Sequence, residues 1–286
     1  HQILFGPGAI NNLNTAIVFP FIPHIVDHRT QRRKADSAEV PKGKIENMKW
    51  SEEYRINSHD TDENRIVSAS ALMRYMQDTA NLHMAAMKPS YDDLFDAGYS
   101  YILSRFSMSS YAPLCSHETV ISQSWACESR GVSHNRCYRI IKDDRIVAEA
   151  VSVWALVSIK DRRLVRADEL SLDYGTDEML DLDMPTRFRI PSHVNPVLVG
   201  DRLTEYADVD MNRHMNNTHY PDILCGYIPE ISGNRVISMT LNFVNEAPLG
   251  ERIKIYSGKS DGSYYFRTKR PDGKVNVEAE FILEEI

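Results

Sequence analysis

The chain has 286 residues, 42% of them hydrophobic and 26% charged, which suits one large globular domain or two of ordinary size. A formal net charge of −7 argues against a general nucleic-acid binder, which needs a basic field, so an anionic partner must meet a local basic patch. Cys115, Cys127, Cys137 and Cys225 form no CxxC pair and have no metal-ligand spacing, as expected of reduced residues in a cytosolic protein.

Residues 1–47 read as an appendage of undetermined role. The chain begins at His1, and its first methionine is Met48. The apolar run from Ala16 to Val26 is too short to span a bilayer, and Pro20 and Pro23 break any helix there. No basic region precedes it and no Ala-x-Ala-like site follows, so a secretory signal is not expected. The basic stretch Arg29-Thr-Gln-Arg-Arg-Lys34 comes next.

A first module is expected over 48–165. Residues 68–87 contain no Gly or Pro, and Leu72, Met73, Met76, Thr79, Ala80 and Met84 recur at spacings of three and four. That pattern predicts an amphipathic helix capped by Ser68. Strand-length runs follow at 100–111, 118–127, 134–142 and 146–159, with Asp143-Asp144 as the tight turn of a hairpin. A linker over 166–193 carries Asp168, Glu169, Asp173, Asp177, Glu178, Asp181 and Asp183, with Pro185 and Pro191. Charge repulsion is expected to keep it extended.

A second module over 194–286 repeats the order. A short helix is expected near 216–227, then strands near 235–245, 251–257, 263–269 and 275–283, with Pro271-Asp-Gly273 as the last hairpin turn. Two matches support duplication: Ala112-Pro-Leu114 with Ala247-Pro-Leu249, and Arg145–Ala150 with Lys274–Ala279. A helix followed by an antiparallel meander predicts α+β modules, each sheet curling around its helix, set edge to edge about a pseudo-two-fold axis.

The repeat is clearest before the two helices. Asp208-Val-Asp-Met-Asn-Arg-His-Met-Asn-Asn217 aligns without a gap to His59-Asp-Thr-Asp-Glu-Asn-Arg-Ile-Val-Ser68, offset by one. Asp60, Asp62, Asn64 and Arg65 match Asp208, Asp210, Asn212 and Arg213, but the partner of His214 is Ile66. Asp208, Asp210, Asn212 and His214 alternate, so an extended backbone would place them in one polar row leading into a helix capped by Asn216 or Asn217. The helix N–H groups could then meet developing negative charge on a carbonyl oxygen. A neighbouring carboxylate would tune His214 as a general base. Two other readings stay open: an Asx-rich turn and cap without chemistry, or a metal site from Asp210, His214 and His219. Glu246 lies at a strand exit opposite Tyr111 in this register, so the second copy again carries the ionisable group.

These residues resemble the signature of the acyl-acyl carrier protein thioesterases of plants and bacteria. The segments Asp62–Arg65 with Leu72–Ala80, Trp154–Arg163 and Phe243–Glu246 agree with it, from about Met48 to the C-terminus. The resemblance implies a tandem hot-dog fold, each half a curved antiparallel sheet wrapped around a central helix. It also implies hydrolysis of fatty acyl-carrier thioesters, with Asp210, Asn212, His214 and Glu246 as the catalytic set. Some members carry a cysteine directly after the glutamate. Here Ala247 stands there, so no thiol nucleophile is available, and either Asp210 attacks directly or a carboxylate with His214 activates water.

On the same resemblance, Met73, Met76, Thr79, Ala80 and Leu82 would hold the acyl chain. Lys160, Arg162, Arg163 and Arg166 would meet the acidic acyl carrier protein and its acyl-phosphopantetheine arm. No cofactor, metal, nucleic acid or membrane span is implied, and a homodimer is compatible with it. The expected compartment is the cytoplasm for a bacterial source and the plastid for a plant. Two alternatives share the fold: a thioesterase acting on acyl-CoA and a non-catalytic acyl-binding module.

Overall fold

Ser68 opens the long helix as expected: its Oγ accepts the Ala71 N–H at 3.1 Å. In the computed structural model, which describes residues 44–46, 48–170, 172–182 and 188–286, this helix is α1 (Ala69–Ala86). Leu72, Met73, Met76, Ala80 and His83 are buried along one face, the consequence of their spacing. The expected appendage over 1–47, apart from 44–46, and the linker residues Asp183 and Pro185 lie outside the described residues.

The strands are β1 (Lys44–Glu46), β2 (Lys49–Arg55), β3 (Tyr99–Ser110), β4 (Thr119–Ala126), β5 (Ser133–Lys142), β6 (Arg145–Ser158) and β7 (Arg163–Val165). They continue with β8 (Val197–Leu203), β9 (Asn234–Phe243), β10 (Arg252–Ser260), β11 (Ser263–Lys269) and β12 (Val275–Glu285). Asp143 and Asp144 have φ of 48° and 58°, the left-handed pair that a tight hairpin requires. Two further helices are α2 (Tyr91–Asp96) and α3 (His219–Cys225). The strand β2, the edge strand β8 and the short α2 are not among the expected elements.

All strands join one antiparallel sheet in the order β1-β2-β4-β5-β6-β3-β9-β12-β11-β10-β8, with β7 beside β6. The order mirrors itself about the β3–β9 junction: β2, β4, β5, β6 and β3 answer β8, β10, β11, β12 and β9. Each half curves over its own helix, the tandem hot-dog arrangement. The helices also meet, because Asp222 on α3 pairs with Ser70 and with Arg74, the latter at 3.3 Å. Among the described residues, no helix is long and apolar enough to cross a membrane.

Backbone hydrogen bonds set the true register of the duplication. Val67 donates to the Leu114 carbonyl and Met215 to the Ala247 carbonyl, both at 2.8 Å. Leu114 therefore answers Ala247, and the two Ala-Pro-Leu strings are out of register by about two residues. The counterpart of Glu246 is Pro113, not Tyr111. The asymmetry survives, since proline does not ionise.

The described linker residues form no helix and no strand before β8, but charge repulsion is not what shapes them. Leu180 and Leu182 pack on a buried cluster of Trp125, Cys127, Cys137 and Val151. Trp125 Nε1 donates to the Glu178 carbonyl at 2.8 Å, and Phe188 and Ile190 are buried with Tyr265. The linker is a strap held by apolar anchors on both halves.

Candidate active site

The segment from Asp208 to Met215 is a closed turn, which corrects the expected extended row. Asp208 ends a 3-10 turn, where its carboxylate accepts the Glu205 N–H at 2.9 Å and Arg202 at 2.7 Å. It is buried and structural. Val209 then bridges to Met215, Asp210 N–H donates to the His214 carbonyl at 3.0 Å, and Arg213 takes a left-handed φ of 63°. Asp210 Oδ1 accepts the Asn212 N–H at 2.8 Å. The first half is built the same way: Asp62 Oδ1 accepts Asn64 N–H at 2.9 Å, Arg65 has φ 63°, and Thr61 bridges to Val67. The repeated Asp, Asn and Arg residues are thus primarily turn makers.

His214 is what the turn delivers. Its backbone bridges to Pro248, as Ile66 bridges to Cys115 in the first half. Two residues before Pro248, on the same side of an extended segment, stands Glu246. His214 Nε2 lies 3.3 Å from Glu246 Oε2, with side chains 17% and 32% exposed. Burial raises the Glu246 pKa above the ordinary carboxylate value, and the Asp210 charge raises it further; His214 and Arg270 oppose that rise. The structure thus gathers Asp210, His214 and Glu246. Asn212 joins them through its backbone, and its side chain stands at the exposed tip of the turn.

Two supporting residues were not legible beforehand. Arg270 holds Glu251 with two bonds of 2.7 and 2.8 Å, while its buried Nη1 has no hydrogen-bond partner among the described residues. Asn276 clamps the backbone leading to Glu246: its carbonyl accepts Val244 and Asn245 N–H at 2.9 and 3.1 Å, and its Nδ2 donates to the Asn245 carbonyl. Its Oδ1 is held in turn by Tyr220 Oη at 3.0 Å and Thr268 Oγ1 at 2.8 Å. Both residues reach the site across strand pairings, which leave no local signature.

The expected oxyanion site at the helix start is not formed. Pro221 lies in the first turn of α3, and its ring would clash with a helical carbonyl at Asn217, so the helix starts at His219 after Thr218. Asn216 occupies the nearby donors: its Oδ1 accepts Thr218 N–H at 3.0 Å and its carbonyl accepts His219 N–H at 3.0 Å. Among the described residues, Asp210, His214 and His219 form no three-ligand cluster suited to a metal.

The expected acyl-binding residues lie in the first half. Met73, Met76 and Ala80 are packed into the main core, and Leu82 is partly exposed. Thr79 is buried and bonded to the Tyr75 carbonyl at 2.7 Å and Ser122 Oγ at 2.8 Å, so its hydroxyl serves the fold. Of the expected basic patch, Lys160 and Arg162 are exposed. Arg163 and Arg166 are exposed as well; Arg163 pairs with Glu169 at 2.7 Å and Arg166 with Asp168 at 3.0 Å, which offsets part of the patch's charge.

The family model described as the acyl-ACP thioesterase N-terminal domain matches residues 47–173, and that of the C-terminal domain matches residues 201–282. No curated protein matches the sequence. An acyl-ACP thioesterase structure from Bacteroides thetaiotaomicron is 20% identical with a TM-score of 0.75, covering 83% of this chain and 98% of its own. The 12:0-ACP thioesterase from Umbellularia californica is 16% identical with a TM-score of 0.72, covering 85% of this chain and all of its own (100%).

Proposed function

The chain belongs to the acyl-ACP thioesterase family and hydrolyses the thioester of fatty acyl carrier protein, and from that premise we propose that Glu246 and His214 perform the chemistry. The observation that carries this reading is their 3.3 Å contact, in the half of the sheet where the first copy has Pro113 and Ile66.

Glu246 and His214 together take a proton from water, whose oxygen attacks the thioester carbonyl. The carbon–sulfur bond then breaks, the proton passes from His214 to the departing phosphopantetheine thiolate, and the free fatty acid is left. Asp210 keeps Glu246 basic by repelling a second negative charge, which suits a base better than a nucleophile. Asn212, exposed beside them, offers its amide to the carbonyl oxygen.

The same proposal assigns residues 194–286 to catalysis and 48–165, with Met73, Met76, Thr79, Ala80 and Leu82, to holding the acyl chain. The strap over 166–193 joins them. The core packing of Met73 and Met76 requires them to shift as a chain enters, which flexible thioethers allow. The acidic carrier protein docks near Lys160 and Arg162. Hydrolysis rates on matched acyl-carrier and acyl-CoA substrates, for the native protein and His214→Ala, test the reading. Unchanged turnover in His214→Ala, or no turnover of acyl carrier protein by the native protein, would sink it.

A further inference from the structure

Among the described residues, Arg136 is a buried cation without an anion. It projects from β5 beneath α1 and keeps 7% of its surface exposed. Its Nη1 donates to Ser124 Oγ at 2.9 Å and to His83 Nδ1 at 3.2 Å. Neither partner can neutralise it: serine is uncharged, and burial together with the guanidinium holds the His83 pKa at about 4. Among the described residues, no carboxylate forms an ion pair with Arg136, and a buried charge left in this state is costly.

The neighbours are donors as well. Tyr101, at the start of β3, and Tyr174, on the strap, both lie within the electrostatic reach of Arg136. Tyr101 meets the edge of the His134 ring at 5.2 Å between centroids, and His134 Nδ1 is 3.3 Å from Ser129 Oγ. Among the described residues the buried His134 Nε2 has no hydrogen-bond partner, so the ring can turn a donor to a ligand oxygen when Ser129 donates to Nδ1. Tyr174 Oη donates to the Pro89 carbonyl at 2.9 Å, which fixes the strap across this end of the first half. The enclosure therefore gathers a guanidinium, an imidazole and phenols, and among the described residues no carboxylate stands with them to balance the charge.

The enclosure is placed towards the reaction centre. The β3–β9 ladder ends at the Arg105–Asn242 pair. Past that point β3 continues back to Tyr101, and the chain leaving β9 at Phe243 reaches Glu246, so both residues lie beyond the same end of the ladder.

We propose that this enclosure binds the far end of the acyl chain when that end carries an oxygen, as a carboxylate or a hydroxyl. Arg136 gives charge and Tyr101 and His134 give direction, while the thioester end stays at Glu246. The inference rests on the thioesterase reading for its substrate, but the enclosure can be tested apart from it. A site built to bond a substrate oxygen discriminates strongly against an analogue that lacks it.

The experiment compares acyl carrier substrates of equal length with plain, hydroxyl-ended and carboxyl-ended chains. The native protein should favour one of the oxygen-ended chains by at least about tenfold in kcat/KM, and Arg136→Met should lower that ratio towards one. Equal or better turnover of the plain chain by the native protein would overturn the proposal, whether or not the variant folds. If no carrier substrate is hydrolysed, the thioesterase reading has failed and calorimetry decides the enclosure. Free dicarboxylic acids should then bind the native protein more tightly than monocarboxylic acids of the same length, and equal affinities would overturn the proposal.

Discussion

Ser107 and Thr240 are each other's counterparts, and their hydroxyls meet at 2.7 Å across the join between β3 and β9. The same offset along the chain that separates them relates Leu114 to Ala247, so their contact marks the pseudo-two-fold axis of the sheet. Both are nearly inaccessible to water, at 4% and 8%.

Ser107→Ala should therefore destabilise the protein by about 1–3 kcal/mol, because it strands the Thr240 hydroxyl. Adding Thr240→Val should recover most of that loss. Chemical denaturation of the single and double variants checks the coupling; additive losses would show that the two hydroxyls act independently.

Glu246→Gln and His214→Ala should each lower kcat by about 10²–10⁴-fold, and the double variant should be little worse than either. Steady-state rates on acyl carrier protein read this directly. Independent, multiplicative losses would argue that the pair does not act as a unit.

Glu246 also predicts a pH dependence. Its folded-state pKa is raised, so it favours the folded state only at pH below the unfolded carboxylate value, and that contribution is lost as pH rises through the folded value. Glu246→Gln should thus be more stable than the native protein near neutrality and lose that advantage in acid. Activity should rise with pH along an acid limb displaced above the ordinary carboxylate range, and His214→Ala should move the limb to still higher pH, because His214 favours the charged form. Thermal melts and rate profiles across pH check both signs.

The basic surface can be tested in both directions. Lys160→Glu with Arg162→Glu should raise KM for acyl carrier protein at low salt and lose the effect at high salt. Asp168→Ala with Glu169→Ala, which releases Arg166 and Arg163, should lower KM. If KM does not move in either case, the carrier protein docks elsewhere.

Met76→Ala should cost about 2–5 kcal/mol, since the side chain is fully buried in the core. If Met76 also borders the acyl chain, the profile of preferred lengths should move upward. An unchanged profile would leave it a packing residue alone.

The sequence by itself determined most of the elements, the duplication and the one-sided histidine. Those are local properties: a helical period in 68–87, turn residues at Asp143-Asp144, and an Ile66-for-His214 exchange in an otherwise matched string. What only the tertiary structure decided depends on pairings between distant segments. The bridge from His214 to Pro248 brings Glu246 into contact, and the strand neighbours deliver Arg270 and Asn276. The same pairings exchanged Tyr111 for Pro113 as the counterpart of Glu246. Alternating polar residues by themselves suggest an extended row. Asp208 and Asp210 instead spend their carboxylates on nearby backbone N–H groups, and those short-range bonds close the chain into a turn. The bare charge of Arg136 is likewise invisible in sequence, because burial, and the absence of a carboxylate beside it among the described residues, are facts about neighbours.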